Sequence, residues 1–475
     1  MCPCSLLYVT VRRQGFQGCP GFWFYFSCFA FLMIPGAERF TGHEMMYGLG
    51  IFLIAAVFYA GFCGALLYCC AWVELKHDSP RSIIFNSISA ASFFCIAEAL
   101  LMQVSRGFPW LDVHAGNGLA KNLYAIQPVS FFGIYILTFV VIAVNYLVAV
   151  FILKKSWIKL YIPLVIVIGY VLAGFGLYMY AHNRMPASKS FKVAILSENI
   201  LPDIKWDENS GNLLVQKLLD LNYLAITLKP AIAFWSESAI PWTYRKDDDL
   251  VKEVFKITDT ARITHIMGIN TAYAENEVFN SAYCMLPGGT VTGRYDKQYL
   301  LSFIEKPLNG WLMPFFSSKG FVARTSPDHG KPLTTPYGKA GFLICNEAAI
   351  PAAAAQQVMK GAEFLMNMSN DGWFNDTYIV NLHFYYARLR AVESQKDIAI
   401  NCNNGYSGLI KASGEIELKE QSTEPYVKMV TIQPNRYRTV ASTHPRVFIY
   451  ICIIFIASVL VSMLIKKHLR GNKSL

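Results

Sequence analysis

A thiol, a carboxylate and an ammonium each close a short strand-like run in this chain. Cys345 ends Gly341-Phe342-Leu343-Ile344 and is followed by Asn346-Glu347. The carboxylate is Glu237, in Trp235-Ser236-Glu237-Ser238-Ala239-Ile240-Pro241, and the ammonium is Lys297, in Gly293-Arg294-Tyr295-Asp296-Lys297-Gln298. A resting cysteine is only a few per cent thiolate at neutral pH, so a nucleophilic one needs a base or a nearby positive charge. Glu237 can be that base if apolar neighbours such as Trp235 and Ile240 raise its pKa. Lys297 can stabilise the thiolate and then the oxyanion of a tetrahedral intermediate, with the amide N–H of Asn346 as a second donor. Alone, each residue has an ordinary structural use: a strand-ending cysteine, a capping glutamate, a surface lysine. Together they describe a cysteine nucleophile for acyl transfer.

The elements that must position these groups alternate. Phe191 to Leu196 reads as a buried strand, Leu213 to Leu224 as a helix, and Ala231 to Trp235 as a strand leading to Glu237. Asp249 to Ala261 is helical, and Phe279 to Leu286 with Thr290 to Tyr295 forms a hairpin turned at Gly288-Gly289. Ala340 to Ile344 is a strand, Ala352 to Lys360 a helix, Phe364 to Met368 a strand and Asp376 to Ser394 a long helix. Ile398 to Cys402 and Ser407 to Ile416 complete the set as strands. Such alternation implies a layered α/β domain with strands buried on both faces.

The rest of the chain is of a different kind. Hydrophobic residues make up 54% and charged residues only 16% of the 475, with a mean hydropathy of +0.33; a soluble chain of this size is about a quarter charged. The apolar excess is concentrated before about residue 181 and after about residue 447. A membrane-spanning helix needs about 20 mostly apolar residues, and the ranges 20–36, 47–71, 83–104, 129–153, 160–181 and 447–465 supply candidates. Basic residues flank alternate ends: Arg12 and Arg13, Lys76 and Arg81, Lys154, Lys155 and Lys159, then Lys466, Lys467, Arg470 and Lys473. By the positive-inside rule both termini are cytoplasmic and the intervening domain is outside. The expected organisation is a membrane domain over 1–181, an extracytoplasmic catalytic domain over 182–446, and a final helix with a basic tail over 447–475. These flanking segments account for the net charge of +10, so no nucleic-acid partner is implied. Within 182–446 the cysteines are Cys284, Cys345 and Cys402, with no CxxC pair, and no HExxH or phosphate loop is present; neither a disulfide framework, nor a metal, nor a cofactor is expected. Glu98, inside a candidate span, is a functional candidate by default unless a polar partner explains it.

The order Glu237, Lys297, Cys345 resembles the Glu-Lys-Cys triad of the nitrilase, or carbon–nitrogen hydrolase, superfamily. The chain is most similar to its membrane-embedded branch, the apolipoprotein N-acyltransferases of bacterial inner membranes. The likeness rests on Lys205-Trp206-Asp207-Glu208, the segments around the triad, Ser369-Asn370-Asp371-Gly372-Trp373-Phe374, Ala387-Arg388-Leu389-Arg390-Ala391-Val392-Glu393, Asn403-Asn404-Gly405 and, in the membrane part, Gly107-Phe108-Pro109-Trp110-Leu111. It departs at Asn346, where the family usually has Tyr, and at Phe303-Ile304-Glu305, where the family has Phe-Gly-Glu. The resemblance also implies more N-terminal spans than the candidate ranges supply. What it implies is an αββα sandwich flanked by transmembrane helices, with Glu237 as base, Lys297 as oxyanion stabiliser and Cys345 as nucleophile. Glu305, Asn346 and Glu347 would support the site, and Trp206 and Trp373 would lie near a lipid entrance. The implied reaction moves a fatty acyl chain from a membrane phospholipid, through a Cys345 thioester, to the α-amine of the S-diacylglyceryl-cysteine of apolipoproteins. A membrane-anchored amidase or nitrilase, using the same triad with water as acceptor, is the alternative. A catalytically inert lipoprotein-binding scaffold and a transporter are the rivals from other classes.

Overall fold

Strands buried on both faces have to be covered on both faces, and this requirement sets the architecture. The computed structural model describes residues 57, 61, 62, 65, 66, 68–70, 72, 73, 79–104, 107, 114–184, 190–201, 211–302, 304–307, 322–372 and 378–471. One sheet is built on the parallel strands β1 (Phe191–Ser197), β2 (Ile232–Trp235) and β4 (Thr264–Ala274), with β3 (Ile240–Thr243) beside β4. The antiparallel strands β6 (Ser281–Leu286) and β7 (Thr290–Asp296) extend β4 on one side, as do β5 (Glu277–Phe279) and β8 (Val322–Arg324) at its far end. The second sheet runs β14-β13-β12-β11-β10-β9. Its parallel centre is β10 (Gly338–Ile344), β11 (Phe364–Asn370) and β12 (Ile398–Asn403). Its antiparallel margins are β9 (Leu333–Thr335), β13 (Ser407–Ile410) and β14 (Ile416–Glu420). Strand β15 (Tyr426–Ile432) returns to pair antiparallel with β1.

Period-two alternation sends the side chains of each strand to two different layers. Val193, Ile195, Phe234 and Ile266 of the first sheet meet Phe342, Ile344, Met366 and Leu409 of the second in a shared core. Ala194, Leu196, Ala233 and Met267 point the other way, onto helices α4 (Gly211–Leu228) and α5 (Asp249–Thr258). Leu343, Leu365, Ile398 and Ile400 face α6 (Pro351–Met359) and α7 (Tyr378–Ser394). The result is the expected αββα sandwich. Each fully buried Val, Leu, Ile, Phe or Met side chain contributes about 1.5–3 kcal/mol of transfer free energy.

Four of the described helices are long and apolar enough to cross a membrane, over Pro80–Gln103, Tyr135–Leu153, Trp157–Asn183 and Val447–Ile465. They fall on α1 (Pro80–Val104), α2 (Tyr135–Leu153), α3 (Tyr161–Asn183) and α8 (Val447–Gly471). Ser87, Ala90 and Ala91 let α1 approach α2 closely, and the Ser87 hydroxyl donates to the Ala143 carbonyl at 3.2 Å. In contrast, α3 exposes Leu164, Val165, Ile168 and Leu172, a surface suited to lipid rather than water. The chain is a membrane protein.

Several sequence expectations need correction. The range 129–153 is not one helix: a single turn, Val129–Phe132, ends at Gly133 with φ +69°, and α2 starts afresh at Tyr135. Ser407 to Ile416 is not one strand either. Gly414, with φ +86°, turns the chain between β13 and β14, and the Lys411 amide donates to the Glu415 carbonyl at 2.9 Å. The sequence patterns supply no strand at β3, β4, β8, β9 or β15. The range 20–36 lies outside the described residues, as does most of 47–71. Glu98 has polar partners: its carboxylate accepts from the Thr138 hydroxyl at 2.7 Å and the Ala115 amide at 2.8 Å, and its Oε2 lies 3.0 Å from Nδ1 of His114. These contacts tie the end of α1 to the following loop and to α2, which is a structural use for this acid.

Candidate active site

The carboxyl ends of parallel strands leave backbone ends and loops at one edge, where α/β proteins place their chemistry. Glu237 follows β2, Cys345 follows β10 and Lys297 follows β7 directly. Glu237 and Lys297 meet there, with Lys297 Nζ 3.5 Å from Glu237 Oε1 and 2.8 Å from Glu305 Oε1. Glu237 is held at both oxygens. Its Oε1 accepts from the Asn280 side chain at 2.8 Å, and its Oε2 from the Asn370 amide at 2.9 Å. The Glu305 Oε2 accepts from the Leu301 amide at 2.8 Å, which fixes that carboxylate against Lys297.

Cys345 begins a 3-10 turn, Cys345–Ala349, with φ +54°. A non-glycine residue in this region is strained, and such strain collects where a side chain must be aimed. Glu347 braces the turn. Its Oε2 accepts from the Ile344 amide at 2.7 Å and the Tyr295 hydroxyl at 2.9 Å, and its Oε1 from the amides of Gln298 at 2.7 Å and Tyr299 at 3.1 Å. One carboxylate thus joins the strand end carrying Cys345 to the loop carrying Lys297. The Asn346 side chain donates to the Tyr299 carbonyl at 3.1 Å, a third tie between the same two segments. Arg390 of α7 supports the turn from behind, with Nη1 donating to the Ala348 and Ala349 carbonyls at 3.5 and 3.4 Å.

Burial and charge compete at each group. Burial raises the Cys345 thiol well above its ordinary value and Glu237 adds to the rise, while Lys297 opposes it. Burial also raises Glu237, against the pull of Lys297. For Lys297 burial acts downward, but Glu305 and Glu237 outweigh it, so the ammonium is held charged. Burial pushes Glu347 up to about 7 in spite of its four donors. The resting arrangement is therefore a thiol beside a carboxylate of raised basicity and a fixed cation. That set can take a proton from sulfur and stabilise an oxyanion.

The structure brings Glu237, Lys297, Glu305, Asn346, Glu347 and Cys345 to one edge of the sandwich. Trp206 and Trp373 lie outside the described residues. Other contributors were not anticipated. Asn280 is one; its signal is a lone polar side chain between β5 and β6. Gly268 is another. A Cβ on this residue would lie 2.1 Å from the Ser236 carbonyl oxygen and 3.1 Å from the Glu237 Cα, so only glycine lets β4 pass so close to the Glu237 segment. A third is the pair Asp371–His383, at 2.8 Å; nothing in the spacing of these two residues marks them as partners. Cys284 and Cys402 are buried in the sandwich, and burial raises both thiols.

The carbon-nitrogen hydrolase family model matches residues 193–442, and the model of the apolipoprotein N-acyltransferase N-terminal domain matches residues 3–147. Curated relatives include the apolipoprotein N-acyltransferase of Geobacter metallireducens, 27% identical over 327 residues, covering 65% of this chain and 61% of the relative. The apolipoprotein N-acyltransferase of Wigglesworthia glossinidia brevipalpis is 27% identical over 402 residues, covering 80% of this chain and 75% of the relative. Among solved structures, Nit3 of Saccharomyces cerevisiae, a member of branch 10 of the nitrilase superfamily, is 17% identical. That match covers 55% of this chain and 97% of Nit3, with a TM-score of 0.42.

Proposed function

Because this chain belongs to the carbon–nitrogen hydrolase family, we propose that its catalytic domain, residues 182–446, is an acyltransferase in which Cys345 is the nucleophile, Glu237 the general base and Lys297 the oxyanion stabiliser. The donor is a membrane phospholipid, and the acceptor is the α-amine of the S-diacylglyceryl-cysteine at the start of an apolipoprotein. The observation that carries this reading is the placement of a thiol–carboxylate–ammonium site on a sandwich seated on membrane helices. Helix α7 packs Leu389 and Val392 against Ile126, Val129, Ile134 and Phe448 of the membrane part. The Gly107 carbonyl after α1 accepts from the Ser302 amide, which lies between Lys297 and Glu305. A site in this position meets lipid substrates without drawing their chains into water, a transfer that costs about 0.8 kcal/mol per CH₂.

Glu237 takes the thiol proton as Cys345 attacks the ester carbonyl. Lys297 and the Asn346 amide stabilise the oxyanion. Collapse releases a lysophospholipid, whose alkoxide regains a proton from Glu237, and leaves an acyl thioester on Cys345. The acceptor amine then attacks the thioester carbon and leaves with the acyl chain as an amide. Asn346 and Glu347 fix the turn that presents the thiol, and Glu305 holds Lys297 in place.

The site faces outward from the cytoplasmic membrane, in an inner membrane of bacterial type. What supports this orientation is the distribution of charge. The sandwich contacts the Gly107 end of α1, the Gly133 end of α2 and the Arg184 end of α3. Arg81 and the Lys154, Lys155, Lys159 cluster belong to the opposite ends, the ends that the positive-inside rule assigns to the cytoplasm. The test is incubation of purified protein with phospholipid and a synthetic diacylated lipopeptide, read by mass spectrometry. The reading requires a lipopeptide heavier by one acyl chain; free fatty acid or ammonia from small amides, with no lipopeptide product, would replace it with a hydrolase.

A further inference from the structure

Aminolysis of a thioester leaves one proton more than hydrolysis by the same triad has to place. An α-amine has a pKa of about 8, so near neutral pH the acceptor arrives mainly as an ammonium. Two protons leave its nitrogen as the amide forms. One ends on sulfur, through Glu237, when the C–S bond breaks. The other needs a second acceptor.

The structure holds a base suited to it. The Asn370 amide contacts Glu237, and the next residue, Asp371, is buried with its Oδ1 2.8 Å from Nδ1 of His383 on α7. Asp371 Oδ1 also accepts from the Ser369 hydroxyl at 2.9 Å, and its amide donates to the Asn403 carbonyl at 2.9 Å. The carboxylate is therefore fixed, and Nδ1–H of the imidazole donates to it. That leaves Nε2 as the basic nitrogen, the same division of roles that a carboxylate imposes on a catalytic histidine in a serine hydrolase. The His383 side chain is 16% exposed while Asp371 is 1% exposed, so the base opens outward from an enclosed orienting acid. Resting on the acyltransferase reading above, we propose that His383, oriented by Asp371, takes the first proton from the ammonium of the acyl acceptor, so that a neutral amine attacks the Cys345 thioester.

Among the described residues, the charged and titratable groups around this pair include Glu237 after β2, Lys297 after β7, Cys345 after β10 and Cys402 of β12. On the flank of α7, Lys419 of β14 lies over the Phe384 and Tyr385 rings, and Lys121 lies over Tyr385. Burial lowers the imidazole's basicity, but Asp371 outweighs it and Glu237 adds to the rise. The net effect brings the base closer to the amine it serves.

The test separates the two half-reactions in the full-length protein. Phospholipid alone loads Cys345, and a diacylated lipopeptide is then added in a single turnover, across pH, for wild type and His383→Gln. The variant is expected to load within about threefold of wild type, which also establishes that it folds. Transfer to the lipopeptide should fall by about 100-fold at pH 6.5 and recover to within about threefold above the α-amine pKa, near pH 9.5. Hydroxylamine, already neutral at pH 7, should clear the variant's thioester at the wild-type rate. A loss that is the same at every pH, an equal slowing of loading, or equally slow clearance by hydroxylamine would each overturn the assignment. No loading and no transfer in wild type would instead remove the acyltransferase reading on which it rests.

Discussion

Lys297 sits between two carboxylates and beside a thiol, and its charge serves each in turn. If it stabilises the oxyanion, Lys297→Ala should lower the rate of Cys345 loading by 10²–10³, about 3–4 kcal/mol. Lys297→Arg should recover little, since a planar fork cannot occupy a space framed by Glu305 at 2.8 Å and Glu237 at 3.5 Å. Loading by Lys297→Ala at near the wild-type rate would reduce the residue to a structural cation. Glu237 gives a pH prediction with a definite sign. A base acts only when deprotonated, and burial holds its pKa above the ordinary 4.5, so loading should fail as pH drops through a value above 4.5. The Asn280 side chain donates to the charged form and works against that rise. In Asn280→Ala the acid limb should therefore move to higher pH, with the high-pH plateau reached later. A limb that stays put or moves down would show that another group titrates.

The elements supply what the residues cannot supply alone, and Gly268 shows how narrow the tolerances are. Gly268→Ala forces a Cβ against the Ser236 carbonyl and the Glu237 backbone. Overpacking of this kind costs about 1–3 kcal/mol, and here it displaces the base. We expect a lower Tm in detergent together with slow loading; an unchanged Tm and rate would mean that β4 yields without moving Glu237. The strands that end at Glu237 and Cys345 are legible because β2 and the Ala340–Ile344 part of β10 are short apolar runs closed by polar residues. Their neighbours were harder to read. Strand β4 carries Thr264, His265 and Gly268 among its apolar residues, and its polar groups are satisfied by tertiary partners: His265 Nε2 lies 2.9 Å from the Thr258 hydroxyl, and its Nδ1 accepts from the Trp235 indole at 3.2 Å. Periodicity does not disclose such partners. The break at Gly133 is hidden because 129–153 holds no charged residue and only the backbone angle at one glycine divides it. The Asp371–His383 pair joins a strand end to a helix across a turn, and local sequence has no signal for that contact.

At the scale of the whole molecule, the sandwich and the membrane helices are tied by polar as well as apolar contacts. Arg388 of α7 donates through Nη1 to the Ala120 and Lys121 carbonyls at 3.1 and 2.7 Å and through Nε to the Gly414 carbonyl at 2.7 Å. Gln127 Nε2 donates to the Ser413 carbonyl at 2.8 Å, and the Tyr437 hydroxyl to the Arg184 carbonyl at 3.0 Å. Arg388→Ala leaves several loop carbonyls without a donor, each costing about 1–3 kcal/mol if it stays buried. Proteolysis between the two parts should accelerate in that variant while thiol labelling of denatured protein stays the same; unchanged proteolysis would show that the apolar contacts suffice. Orientation is tested in intact spheroplasts with a membrane-impermeant thiol reagent. A cysteine at Glu275 should be labelled and one at Lys154 should not, and the reverse pattern would invert the molecule. The central claim is that Cys345 carries an acyl chain between two lipid substrates. Its most direct test supplies phospholipid without an amine acceptor and maps the modified peptide by mass spectrometry. The account predicts that the peptide containing Cys345 gains the mass of one fatty acyl chain, loses it to neutral hydroxylamine and passes it to an added diacylated lipopeptide. Acyl transfer by Cys345→Ala, or a label that maps to Cys284 or Cys402, would contradict it.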